Sequence, residues 1–143
     1  SSGAAIKQPG ALLVAQSATL SQTGTIQSLS FYVTTASGDL RLGIYDATGP
    51  GGGPGAKKAE TNSFTPVVGW NTANVITPVS LPPGTYWFAY LPSSSSLGFR
   101  LDYSGSAQWY SYTYGAMPAM YSMPKIISKA KLLQSFLRTD AIF

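Results

Sequence analysis

Trp109-Tyr110-Ser111-Tyr112-Thr113-Tyr114 is the run whose residue types could do chemistry. Read as a strand, it sets Tyr110, Tyr112 and Tyr114 on one face, with same-side residues about 6.8 Å apart. Flat phenol rings in a row suit a sugar chain, because pyranose C–H faces pack on the electron-rich ring face and the hydroxyls reach the sugar rim. The competing reading makes these tyrosines the core face of a strand, which turns Trp109, Ser111 and Thr113 to solvent. Either orientation leaves an exposed aromatic. Trp70, after Gly69 and before Asn71-Thr72, is the next candidate. A buried anchor between sheets is the simpler account of it, and an exposed platform the alternative. Trp109, Tyr110, Tyr112, Tyr114 and Trp70 are therefore the candidate ligand-binding residues.

Other chemistries find little support. The chain has no histidine and no cysteine, which removes the usual zinc sites and the His- or Cys-dependent nucleophiles. Its acidic residues number five and form no evident acid/base pair for glycoside hydrolysis. No enzyme activity is expected. Asp39, Asp46 and Asp102 are the carboxylates a structural calcium would draw on, but they are scattered along the chain. No cofactor is expected, with a structural calcium as the alternative. The Gly/Pro loop from Asp46 to Gly55 lacks the Gly-Lys-Ser/Thr ending of a phosphate cradle. Lys125 to Arg138 concentrates much of the net charge of +4, yet it carries no nucleic-acid recognition motif, so a solvated face is the expectation. No stretch is long and apolar enough for a spanning helix.

The elements that must position these residues read as β throughout. At 143 residues, with 13% aromatic and only 10% charged residues, the chain suits one domain with a proper core. Gly84 to Leu91 alternates Tyr86, Phe88 and Tyr90 against Trp87, Ala89 and Leu91. Both faces are apolar, which predicts a central strand covered on both sides. Ala11 to Ala15 is a short apolar run, a candidate first strand. Thr25 to Thr34 places Leu29, Phe31 and Val33 on one face and Ile26, Ser28, Ser30 and Tyr32 on the other. Leu40 to Asp46 has Leu40, Leu42 and Ile44 as its core face, and a hairpin through Ala36-Ser37-Gly38-Asp39 is expected to join it to the preceding strand. Lys57 to Phe64 reads as an edge strand, its lysines discouraging sheet-to-sheet association. Short strands at intervals of roughly eight to twelve residues predict an antiparallel β-sandwich, jelly-roll-like in form.

Residues 1 to 10 read as an entry arm without signal-peptide character, so export would mean that a signal has been removed or is not included in this sequence. In the segment 122–143, Ile126, Ala130, Leu133 and Leu137 fit a helical stripe, while a closing strand better suits the rest of the chain.

Four phrases carry a resemblance: Leu40-Arg41-Leu42-Gly43-Ile44-Tyr45-Asp46 with its loop to Gly55, Gly69-Trp70-Asn71-Thr72, Leu81 to Tyr90, and Met117-Pro118-Ala119. In this order, over roughly residues 20 to 121, they resemble a β-sandwich module of exported bacterial proteins, often found beside glycoside-active or cell-surface domains. The Lys125 to Lys131 segment lies outside the pattern. The resemblance implies a secreted or cell-surface, non-catalytic accessory role with a polysaccharide partner. A structural subunit of an extracellular assembly, self-associating through its terminal arms, is the alternative.

Overall fold

The computed structural model describes residues 4–7, 12–94, 96–102, 107–121, 125–127, 131–132 and 137–139. Their strands are β1 (Ala4–Lys7), β2 (Leu12–Leu20), β3 (Gly24–Val33), β4 (Leu40–Asp46), β5 (Lys57–Glu60) and β6 (Gly69–Leu81), then β7 (Gly84–Pro92), β8 (Gly98–Asp102), β9 (Ala107–Ser111), β10 (Lys125–Ile127), β11 (Lys131–Leu132) and β12 (Leu137–Thr139). All these strands pair antiparallel. The large sheet runs β10-β9-β2-β7-β4-β5, a smaller one β12-β3-β6, and a third β1-β8-β11. The protein is all-β, with sheets packed face to face.

Alternation explains the layering. Leu29, Phe31 and Val33 of β3 and Val75 and Leu81 of β6 meet Leu42, Ile44, Phe88 and Tyr90 of the large sheet in one core. Phe99 of β8 closes that core from the small-sheet side, its ring centroid 5.2 Å from Tyr90 and 6.3 Å from Phe31. Gly98 is required at this approach, because a Cβ there would lie 2.7 Å from the Thr34 hydroxyl oxygen.

β7 sits inside the large sheet between β2 and β4, as its doubly apolar sequence requires. Tyr86, Phe88 and Tyr90 enter the inter-sheet core, whereas Trp87, Ala89 and Leu91 face the opposite way. That second face is covered by the segment 112–121, a strap whose Met117 and Tyr121 pack with Leu13, Ala15, Tyr45 and Trp87. Backbone bonds from Lys57 N–H to Ala119 O and from Tyr121 N–H to Gly55 O hold it along β5 and the preceding loop. The Tyr121 hydroxyl donates to Leu13 O at 2.9 Å, and the Tyr45 hydroxyl to Pro118 O at 2.6 Å. Glu60 accepts from Met117 N–H at 3.1 Å and pairs with Lys57 and Arg41.

Two local expectations are corrected. β3 and β4 form no hairpin: β3 pairs with β6 and β12, and β4 with β5 and β7. Each strand has an apolar face to bury, and crossing between layers sets those faces against each other across the core. The turn instead bonds to the 93–94 loop, with Asp39 N–H donating to Ser93 Oγ and Ser93 N–H to Asp39 O. Gly38 stands at φ 63°, where a Cβ would be 2.6 Å from Ser93 Oγ. Ile26, placed by strict alternation on the outer face, is fully buried beside Leu29. Between Ile26 and Ser28 the partner in β6 jumps from Val79 to Asn74, so that one residue of β3 lies opposite four of β6, and across this irregularity the inward parity of β3 shifts from Ile26 to Leu29.

The ends add strands at the sheet edges. β1 of the entry arm pairs with β8, and β10, β11 and β12 pair with β9, β8 and β3 respectively. Within 122–143 the described residues are thus strands, and the helical alternative does not hold for them.

Candidate functional site

The tyrosine row expected after Trp109 does not form. β9 ends at Ser111, so Trp109 and Tyr110 lie on a strand, in register with Val14 and Leu13, while Tyr112 and Tyr114 belong to the strap. Both are half-buried against the outer face of the large sheet. The Tyr112 hydroxyl donates to Ala116 O at 2.8 Å, and the Tyr114 hydroxyl bonds that of Ser63. The Arg41 guanidinium stands 5.9 Å from the Tyr114 ring centroid, a cation–π contact. The chain turns away at Ser111 because the apolar face of β2 and β7 needs a cover, and the strap supplies it. Tyr112 and Tyr114 are consequently bound into packing rather than aligned as a platform.

Trp70 goes the other way. It lies on the outer face of β6 and is 38% exposed, so the buried-anchor expectation is overturned. Its alternation partners explain this: Asn71 and Val75 occupy the inward positions of β6. Tyr32 is directly opposite on β3, and the two rings meet edge to face with centroids 5.4 Å apart and planes at 84°. The next rung brings Ser30 opposite Thr72, their hydroxyl oxygens 2.8 Å apart. Ser28 opposite Asn74 follows.

The turn leading into Trp70 is fixed by Asn71. Its buried side chain accepts from Val67 N–H at 2.7 Å and donates to Val67 O at 2.8 Å and Gly69 O at 3.0 Å. Gly69 takes φ 102°, a value open to glycine but costly for residues with a Cβ. The result is a tight turn that leaves Val67 and Val68 59% and 66% exposed.

Trp87 is structural. It is buried on the strap side of β7, and its Nε1–H donates to Gly52 O at 3.0 Å. The Gly/Pro loop folds inward on Asp46. Its Oδ1 accepts from Thr48 N–H, the Thr48 hydroxyl and Ala56 N–H, while Lys58 Nζ lies 3.6 Å from Oδ2. Burial disfavours the charged carboxylate, but the Thr48 hydroxyl, the Ala56 and Thr48 amides and Lys58 outweigh it and hold the pKa below the ordinary aspartate value. Asp39 accepts from the Thr65 hydroxyl at 3.1 Å. Among the described residues no cluster of three or more carboxylates could hold a metal ion, and no helix is long and apolar enough to cross a membrane.

The sequence alone did not bring Tyr32, Ser30, Thr72 and Asn74 onto one face with Trp70. Half of the signal was present, since Ser28, Ser30 and Tyr32 fell on one face of the predicted strand. Pairing with β6, which brings Trp70 beside Tyr32, is set by tertiary structure. Set against protein-family models, curated proteins and solved structures, the chain finds no match.

Proposed function

We propose that this chain is a non-catalytic carbohydrate-binding module of jelly-roll-like sandwich form, exported and acting outside the cell or at its surface. One observation carries the reading: Trp70 is an exposed indole on a rigid sheet face, braced edge-on by Tyr32. An aromatic surface held this way packs the C–H face of a pyranose without any loop having to order first. The sandwich form is supported by the path of the chain, which crosses from the large sheet to the small and back through β2, β3 and β4, and again through β6 and β7. Non-catalytic character fits the carboxylates, because Asp39, Asp46 and Glu60 are each committed to bonds that hold loops or the strap.

Retention on insoluble polysaccharide tests this reading. The full chain is expected to be retained and Trp70→Ala to lose at least about tenfold in affinity, as loss of a hot-spot aromatic implies. Retention lost in Trp109→Ala or Tyr110→Ala, and kept in Trp70→Ala, would move the site to β9. A second reading, an extracellular assembly subunit, is favoured by the short edge strands that both ends contribute.

A further inference from the structure

The outer face of the small sheet offers more than one stacking ring. Beyond the irregularity after Ile26, β3 and β6 pair regularly, and the rungs Tyr32–Trp70, Ser30–Thr72 and Ser28–Asn74 follow one another. Successive rungs are about 6.8 Å apart, the two-residue repeat of a strand. The inward residues between them, Leu29 and Phe31, are fully buried, which locks the register and turns all three rungs outward. In order, the face presents an aromatic pair, two hydroxyls 2.8 Å apart, and a serine opposite an amide. None of the six side chains is charged.

We propose that this ladder is one extended site for a neutral polysaccharide, a chain of at least two sugar units laid along β6. The inference rests on the carbohydrate reading above and adds the ligand class and the residues that follow Trp70. One unit stacks on Trp70, and the next meets Thr72 with Ser30, then Asn74. In the Ser30–Thr72 pair one hydroxyl donates to the other, leaving the acceptor's own O–H and lone pairs on both oxygens to serve a ligand. Asn74 adds a donor and an acceptor in one amide. Groups that both donate and accept match sugar hydroxyls, which also do both. A carboxylated or sulfated chain calls instead for Arg or Lys, which form the strong charge-assisted bonds. Arg138 of β12 stands in register with Ser30, so an anionic glycan is the competitor to be separated by experiment.

The test uses the full chain, titrated calorimetrically with oligosaccharides of one to six units from β-glucan, mannan and xylan, and with polygalacturonate and alginate oligomers. Affinity for one neutral series is expected to rise at least about tenfold between one and three units and then level off, as a site of limited length requires. Thr72→Val and Asn74→Ala are each expected to weaken the trimer about three- to tenfold, the loss of one net hydrogen bond, while leaving the monosaccharide unchanged. Unaltered circular dichroism and melting would show that the variants fold. Binding that fails only in Trp70→Ala, without chain-length dependence, would overturn the ladder and leave the carbohydrate reading standing. Binding of anionic oligomers alone, abolished by salt, would overturn the neutral ligand class. Failure to bind any of the glycans, here and on insoluble polysaccharide, would end both readings.

Discussion

Asp46 shows how one side chain can organise a loop. Its Oδ1 gathers three donors from Thr48 and Ala56, and Gly55 is needed because a Cβ there would lie 2.8 Å from that oxygen. The folded pKa is depressed, so the folded state binds fewer protons than the unfolded one and stability rises with pH through this window. The contribution is fully present above the ordinary aspartate value of 3.8 and is lost as pH falls through the lower folded value. Wild type is expected to lose stability as pH falls from 3.8 through that lower value, and Asp46→Asn to show a shallower acid limb, in denaturation curves taken between about pH 2 and 6. Trp70 makes the complementary case. Its type marked it as a candidate, but its exposure depended on Asn71 taking the inward place in β6.

At the level of elements, the strap 112–121 decides what β7 can be. An antiparallel strand with two apolar faces needs a cover on each, and Met117 and Tyr121 provide the second one. Met117 is 3% exposed, and its sulfur lies where a Cβ on Gly43 would be only 2.5 Å away. Met117→Ala is expected to cost about 2 kcal/mol or more in chemical denaturation, the range for emptying a buried Met site. Met120→Ala, three residues on and 61% exposed, should stay within about 0.5 kcal/mol of wild type. Equal effects would show that the strap does not pack as described. The β7 alternation was legible because its apolar residues occupy both parities over the whole strand. The irregularity after Ile26 was not, since it arises where residues 75–78 of β6 lie opposite Gln27 alone, a pairing between distant parts of the chain that leaves no composition signal.

For the whole molecule, the terminal strands bear on both functional readings. β1 pairs with β8 and β12 with β3 within one chain, and the same edges are where a neighbouring copy would add a strand. Light scattering on the full chain and on a form lacking residues 1–10 separates the two functional readings. A monomer in both is the expected outcome for a binding module, whereas large particles that depend on the arm would favour an assembly subunit and demote the sugar site.

The sequence by itself determined the all-β character, the central place of β7, the inward faces of β4 and most of β3, and the lack of histidine and cysteine chemistry. These follow from residue type and from period-two alternation, which are local. Tertiary structure decided that β3 and β4 cross between layers, that Tyr112 and Tyr114 are strapped down, and that Trp70 meets Tyr32. Each of these joins residues far apart in the chain, and each depends on which apolar face still lacks a cover once the other sheets are in place.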